Sequence, residues 1–401
     1  MTADTGRSAA SARHARGTES LRSGIAPFHV MDMMRAAAVR ARTYGDLVSM
    51  TAGQPGSPAP APVLAAAHHA LDTHVLGYTE TFGIAPLREA IATYHTERHG
   101  IVVDAEDVVV TTGSSGGFQL IFMAAFDVGD TVAVARPGYP AYRNTLQALG
   151  CEVIELDCGA ADRYQPTVAM LEALPEPPAG LIIASPANPT GTIIDPTVLR
   201  DIARWCAKHD TLLISDEIYH GIEFGTGPVT SSAWQTSRES VVVGSVSKYF
   251  SMTGWRLGWL LAPEYLREPL QRLAGNLTIC PPAISQYAAI HAFDRASIEE
   301  LDGHVHRYGV NRRILLDGLA ALGITDIAPA DGAFYAYADI GHLTDDTTAW
   351  CHHILDRIGV AIAPGIDFDT ARGLRTVRLS FAGVPADIDE ALARLGQYLR
   401  D

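Results

Sequence analysis

Between positions 108 and 243 the chain returns six times to a short run rich in valine, isoleucine and leucine, at 108–112, 131–134, 152–155, 181–184, 212–215 and 241–243. Each is short and is bounded by Gly, Pro or Asp. Strands buried on both faces of a largely parallel sheet have this character. Helix-like segments stand among them, at 118–126 and 196–209, and two more precede them at 63–71 and 87–99, the last with Pro86 close to its start. Strands alternating with helices predict an α/β architecture.

After about position 285 the pattern changes to amphipathic helices, at 285–292, 301–322, 345–358 and 387–399, with short strands at 333–337 and 376–380 between them. This predicts a second, smaller α+β domain. The expected division is a disordered tail at 1–23, an N-terminal arm at 24–50 packing with the small domain, a large domain at 51–290 and a small domain at 291–401. The tail is rich in Ala, Ser, Arg and Thr and shows no apolar period. It has no secretory h-region, and Asp4 and Glu19 argue against a transit peptide.

With 45 acidic against 30 basic residues the formal charge is −15, which argues against nucleic acid or an anionic membrane as the partner. No apolar run approaches the roughly 18 residues of a membrane span. Five scattered cysteines, none in a C-x-x-C pair, predict free thiols in a reducing cytoplasm rather than disulfides or zinc. The paired histidines 68/69, 304/306 and 352/353 lack a third ligand, so no metal is expected.

The chemistry concentrates at the ends of the apolar runs, where open α/β sheets bind ligands. After 241–243 comes Ser245-Val246-Ser247-Lys248, with Arg256 eight positions beyond the lysine. A lysine among hydroxyls can form an imine with an aldehyde cofactor, while hydroxyls and a guanidinium gather round a phosphate. Gly113-Ser114-Ser115 follows another run and opens a helix, so its amides and hydroxyls can meet the same phosphate. Taken alone it reads more readily as an N-cap eased by glycine, and Ser245 and Arg256 elsewhere in the chain reverse that balance. Asp216 ends the run at 212–215 and can pair with a protonated pyridine nitrogen, or simply cap a helix. Tyr219, three residues on, points to the same side. Asn188 sits in the turn-forming string Ser185-Pro186-Ala187-Asn188-Pro189-Thr190-Gly191, which holds an amide at a strand end or uses Asn for backbone reasons alone. Either bracketing X-Pro bond is a candidate for cis.

These strings resemble, position by position, the class I/II aminotransferases of fold type I, which bind pyridoxal 5'-phosphate (PLP). The resemblance runs from Val48-Ser49-Met50-Thr51-Ala52-Gly53-Gln54-Pro55 through Gly77-Tyr78-Thr79, Pro137-Gly138-Tyr139-Pro140, Asn188-Pro189-Thr190-Gly191, Ser215-Asp216-Glu217-Ile218-Tyr219 and the lysine string to Gly332-Ala333-Phe334-Tyr335 and Val377-Arg378-Leu379-Ser380. It implies a mostly parallel central sheet in a large domain, beside a smaller α+β domain. It implies that Lys248 carries the cofactor imine, Asp216 pairs with the pyridinium, Asn188 and Tyr219 bond the ring oxygen and Tyr139 stacks on the ring. Ser114, Ser115, Ser245 and Arg256 would hold the phosphate, and Tyr78 would reach the phosphate of the neighbouring subunit in a homodimer with shared sites. Arg378 would clamp the substrate carboxylate with its guanidinium fork, and Gly53 would offer backbone to the same group. Gly116-Gly117 and Gly56-Ser57 depart from the usual pattern without touching this chemistry.

The reaction so implied moves an amino group between an L-amino acid and a 2-oxo acid in two half-reactions, with Lys248 as the base for the α-proton. Residues that hold PLP do not by themselves separate this from β-elimination, racemisation or oxidation. A PLP-sensing transcription factor would need a helix-turn-helix module, for which the residues before Gly53 are too few. The mostly apolar string Ile25-Ala26-Pro27-Phe28-His29-Val30 favours a neutral or aromatic amino donor over a dicarboxylic one.

Overall fold

The computed structural model describes residues 20–400. Positions 1–19, most of the expected tail, lie outside the described residues, and Leu21–Ser23 forms a single 3-10 turn.

Seven strands build the main sheet: β1 (Val108–Thr111), β2 (Thr131–Arg136), β3 (Glu152–Asp157), β4 (Gly180–Ala184), β5 (Leu212–Asp216), β6 (Val241–Ser245) and β7 (Gly258–Leu261). Their order is β1-β7-β6-β5-β4-β2-β3. All neighbours run parallel except β7, which is antiparallel to both β1 and β6. The absence of alternation in these runs now has a cause, because successive residues enter two different cores. Val109, Ile182, Val241 and Val243 pack in one cluster with Phe118, Ile121 and Phe122. Val108, Val110, Leu181, Ile183 and Val242 pack on the opposite face. In the central strands both faces are covered, so the residues pointing to either side are mostly apolar, whereas the edge strand β3 keeps Glu152 and Asp157 exposed.

Beyond the sheet, β8 (Tyr335–Asp339), β9 (Ala363–Pro364) and β10 (Thr376–Ser380) form a small antiparallel sheet in the order β9-β10-β8, next to the long helix Arg295–Ala321. In register, Arg378 of β10 lies between Ala363 and Tyr337. Near the N-terminus, α1 (His29–Tyr44) ends at Gly45, whose φ of 71° is the left-handed cap that glycine takes readily. The following pair Val48–Ser49 runs parallel to Val360–Ala361, which joins the N-terminal arm to the C-terminal part of the chain.

Two expectations shift. The strand expected at 333–337 begins only at Tyr335, because Ala333 has a φ of 56°, outside the range a strand allows. Strand β7 is additional to the six runs read from the sequence. Among the described residues, no helix is long and apolar enough to cross a membrane.

Candidate active site

At the carboxyl ends of β4, β5 and β6 the chain encloses a cavity of about 240 Å³. Residues expected to act together from seven separate strings meet in its wall: Gly53, Ser114 and Ser115, Tyr139, Asn188, Asp216 with Tyr219, Lys248 with Arg256, and Arg378.

One end suits an anion. Helix α2 (Gly113–Ala125) begins directly after β1, so its first-turn amides, with Ser114 and Ser115, face the cavity. Gly113 has a φ of 70°, and a Cβ on it would stand 2.6 Å from Arg256 Nη2. Glycine is therefore what lets the guanidinium close against the helix start. Arg256 itself has a φ of 54°, and its Nη1 donates to Thr253 O over 2.9 Å.

The floor is acidic. Asp216, at the end of β5, is 3 % exposed and accepts hydrogen bonds from Tyr142 Oη and from Ile218 N at 3.2 Å. Burial pushes its carboxyl up to about 6, and the Tyr142 bond acts against that rise. Tyr142 belongs to α3 (Pro140–Leu149), the helix that starts one residue after Tyr139. A buried carboxylate aimed into the cavity is a ready partner for a cation there.

Between these ends stands Lys248, whose Nζ donates to Gly53 O and lies 5.6 Å from the Tyr219 ring centroid. Burial, and next the nearby charge of Arg378, lower its amine to about 8. Near neutral pH a usable fraction of this lysine is the neutral amine.

The far wall holds Arg378, 3 % exposed, with Nη1 donating to Asn188 Oδ1 at 2.8 Å and Nη2 to Thr51 O at 2.9 Å. Its guanidinium lies 4.4 Å from the Tyr335 ring centroid and 4.7 Å from that of Phe368. The Nε is buried and has no hydrogen-bond partner among the described residues. An unpaired buried donor beside a cavity points to an acceptor that arrives with a ligand. Gly53 allows this crowding, since a Cβ there would come within 2.8 Å of Tyr335 Oη. Tyr335 in turn shares a 2.7 Å hydrogen bond with Tyr219.

Two expected residues stand elsewhere. Ser245 faces away from the cavity: its hydroxyl donates to Leu257 O at 3.3 Å and accepts from Ser247 N at 3.0 Å, while Ser247 takes the place in the lining. Tyr78 is 83 % exposed and lies in a separate surface hollow with Leu76, Gly77 and Cys280. Sequence reasoning gave no role to Tyr142, Tyr335, Met31 or Met34, all of which line the cavity. For Tyr142 a signal existed, because three residues from Tyr139 on a helix is the spacing of one face. Phe28, whose ring stands edge-on to Tyr139, lines the cavity together with Val30, Met31 and Met34.

Residues 45–395 match the family model described as aminotransferase class I and II. The chain is 57 % identical over 380 residues to a valine–pyruvate aminotransferase of Mycobacterium tuberculosis, covering 95 % of this chain and 98 % of that one. It is 31 % identical over 370 residues to an aspartate/prephenate aminotransferase of Thermus thermophilus, covering 91 % and 94 %. Among solved structures, an aminotransferase from Mycobacterium tuberculosis superposes with a TM-score of 0.94 at 56 % identity, covering 96 % of this chain and 99 % of that one. The Thermus thermophilus aspartate aminotransferase with maleate does so at 0.89 and 31 % identity, covering 96 % and 100 %.

Proposed function

The chain belongs to the class I and II aminotransferases, a PLP-dependent family, and from that premise we propose that its cavity holds PLP and takes a neutral, apolar amino donor, valine above all, with pyruvate as acceptor. That the enzyme moves an amino group between an amino acid and a 2-oxo acid follows from its relatives. The donor class is carried by one observation. The cationic side chains in the cavity wall are Lys248, Arg256 and Arg378, each with a use already, and the part of the wall supplied by Phe28 and the start of α1 (Val30, Met31 and Met34) is apolar. Among the described residues, no further cation lines the cavity to meet a second substrate carboxylate. The valine–pyruvate relative supports the same reading.

In this reading Ser114, Ser115, Arg256 and the first amides of α2 hold the phosphate, Asp216 holds the ring nitrogen, and Asn188 with Tyr219 hold the ring oxygen. The cradle closed by Gly113 and the buried Asp216 suit such an occupant, and the unpartnered Arg378 Nε suits the substrate carboxylate beside it. Bound there, PLP supplies an aldehyde that takes up the amino group and a ring that draws electrons from the α-carbon. The protein's own residues do the rest. Arg378 grips the α-carboxylate and so fixes which bond faces Lys248. Lys248, whose amine burial lowers to about 8, takes the α-proton and returns it on the other side of the transfer. The aromatic and methionine wall keeps water from the exchange.

The same reading includes two domains, at 51–290 and 291–401, a homodimer with Tyr78 serving the partner's site, and a cytoplasmic setting in keeping with five cysteines that are all free thiols. A panel of donors with pyruvate tests the central claim: valine and its apolar neighbours should exceed aspartate and glutamate in kcat/KM by at least about tenfold. A preference for the dicarboxylic donors would overturn it.

A further inference from the structure

The apolar wall and the carboxylate reader come from opposite ends of the chain, yet one short segment touches both. Asp367, 2 % exposed, accepts hydrogen bonds from His29 N at 2.9 Å and Val30 N at 2.7 Å, the first two residues of α1. These are amides that a helix leaves unsatisfied, and a carboxylate there also meets the favourable end of the helix dipole. Phe28 supplies no side-chain cap of its own. The next residue, Phe368, packs with Val30 and Tyr337 in a small separate core, and its ring lies 4.7 Å from the Arg378 guanidinium. Its carbonyl accepts from Gly138 N at 2.9 Å, next to Tyr139, and the Tyr139 ring stands edge-on to Phe28 at 6.2 Å.

We propose that Asp367 is a positioning residue that sets the distance between the donor side-chain wall and the donor carboxylate reader, and so fixes the size of apolar side chain the enzyme accepts. This rests on the assignment of the cavity to a neutral donor. Val30, Met31 and Met34 ride on the helix whose first turn Asp367 anchors, whereas Arg378 sits on β10. Segment 367–368 touches both, Asp367 holding the first amides of α1 and Phe368 lying against the guanidinium, so this anchor sets the register of the wall relative to Arg378. Without the carboxylate the first turn of α1 frays and the wall withdraws. A donor then loses contacts in proportion to its side-chain carbons, while its carboxylate grip on Arg378 remains.

The experiment compares Asp367→Asn and Asp367→Glu with the parent holoenzyme, using alanine, valine and leucine as donors to pyruvate and amide exchange of the unliganded holoenzyme. With Asp367→Asn, KM for valine and leucine should rise about tenfold, the loss expected for one charge-assisted bond. KM for alanine should rise less than about twofold, and kcat with alanine should stay within about twofold. The amides of His29 and Val30 should exchange faster, with those of Thr376–Ser380 unchanged. Asp367→Glu retains the charge, so it should keep those amides slow yet shift the preferred donor size. Equal losses for all donors, or unchanged exchange at His29 and Val30 in both variants, would overturn the proposal. If Asp367→Asn does not fold, Asp367→Glu decides by whether donor size preference moves. Should the parent use only dicarboxylic donors, the assignment of the cavity fails, and the exchange result still judges the anchor by itself.

Discussion

Arg378 Nη1 donates to Asn188 Oδ1 over 2.8 Å, a bond that ties strand β10 to the turn following β4 across 190 residues of chain. A second bond, from Nη2 to Thr51 O, and the rings of Tyr335 and Phe368 on either side leave the guanidinium no freedom to swing. The fork is therefore set before substrate arrives, and its Nε still has a hydrogen to give. Preorganisation of this kind lowers the ordering cost of binding.

Arg378→Lys should raise KM for amino and oxo acids alike, because both carry the carboxylate. Lysine keeps the charge but cannot span Asn188, Thr51 and a ligand at once, so the loss should be about 1.5–3 kcal/mol. Steady-state kinetics with valine, set against an amine that lacks the carboxylate, checks this. If the amine suffers as much, Arg378 supports structure instead of reading substrate.

Asp216 makes stability depend on pH in a stated direction. Its carboxyl is raised from 3.8 to about 6, with burial as the first cause. Between those values the folded chain keeps a proton that the unfolded chain has lost. The stabilising share is thus complete below 3.8 and is lost as pH rises through about 6. For a group this buried the size is about 3 kcal/mol. Asp216→Asn should remove that share of the pH dependence in cofactor-free protein, measured by urea unfolding at about pH 4 and about pH 7. Glu217, raised to about 7, slopes the same way in both proteins and cancels from the comparison. The variant should also lose kcat, since a neutral amide cannot oppose a ring cation; equal slopes in parent and variant would contradict the buried-carboxylate account.

Lys248→Ala should end turnover while leaving the fold intact. Its Nζ makes one hydrogen bond, to Gly53 O, so little of the scaffold depends on it. Circular dichroism should match the parent, and transamination should fall below detection. Near-normal activity in the purified variant would refute the assignment.

The sheet was legible because burial on both faces leaves a trace in every residue of a strand, as in Val241, Val242 and Val243. Strand β7 was not, since Gly258 and Trp259 follow a loop string and pair antiparallel, without the helix that marks a parallel crossover. Strand-end strings located Lys248, Asp216 and Ser114 because a polar residue after an apolar run has few places to go. Ser245 shows the limit of that rule. Its neighbour two residues on faces the cavity instead, and only the backbone path between β6 and Leu257 decides which. The bonds of Asp367 to His29 and Val30 span 338 and 337 residues, and no local pattern encodes such a pairing.

Tyr78 should act across a dimer interface. It is exposed at 83 %, outside the cavity of its own chain, and beside it Val75 is 98 % exposed. Leu71, Leu277 and Ile279 are exposed as well, more apolar surface than a monomer gains from showing to water. A two-fold dimer covering this face would bring each Tyr78 to the other chain's phosphate end. Two impaired variants, Tyr78→Phe and Arg378→Ala, test this when mixed and reassociated. A heterodimer then carries one site with both changes and one with neither. Random association makes half the dimers mixed, so about one quarter of all sites should regain parent activity. Residues that served the same chain's site would restore nothing, because every site would keep one defect. A monomeric solution mass at full activity, or no recovery on mixing, would remove the shared site while leaving the roles of Lys248 and Asp216 as they stand.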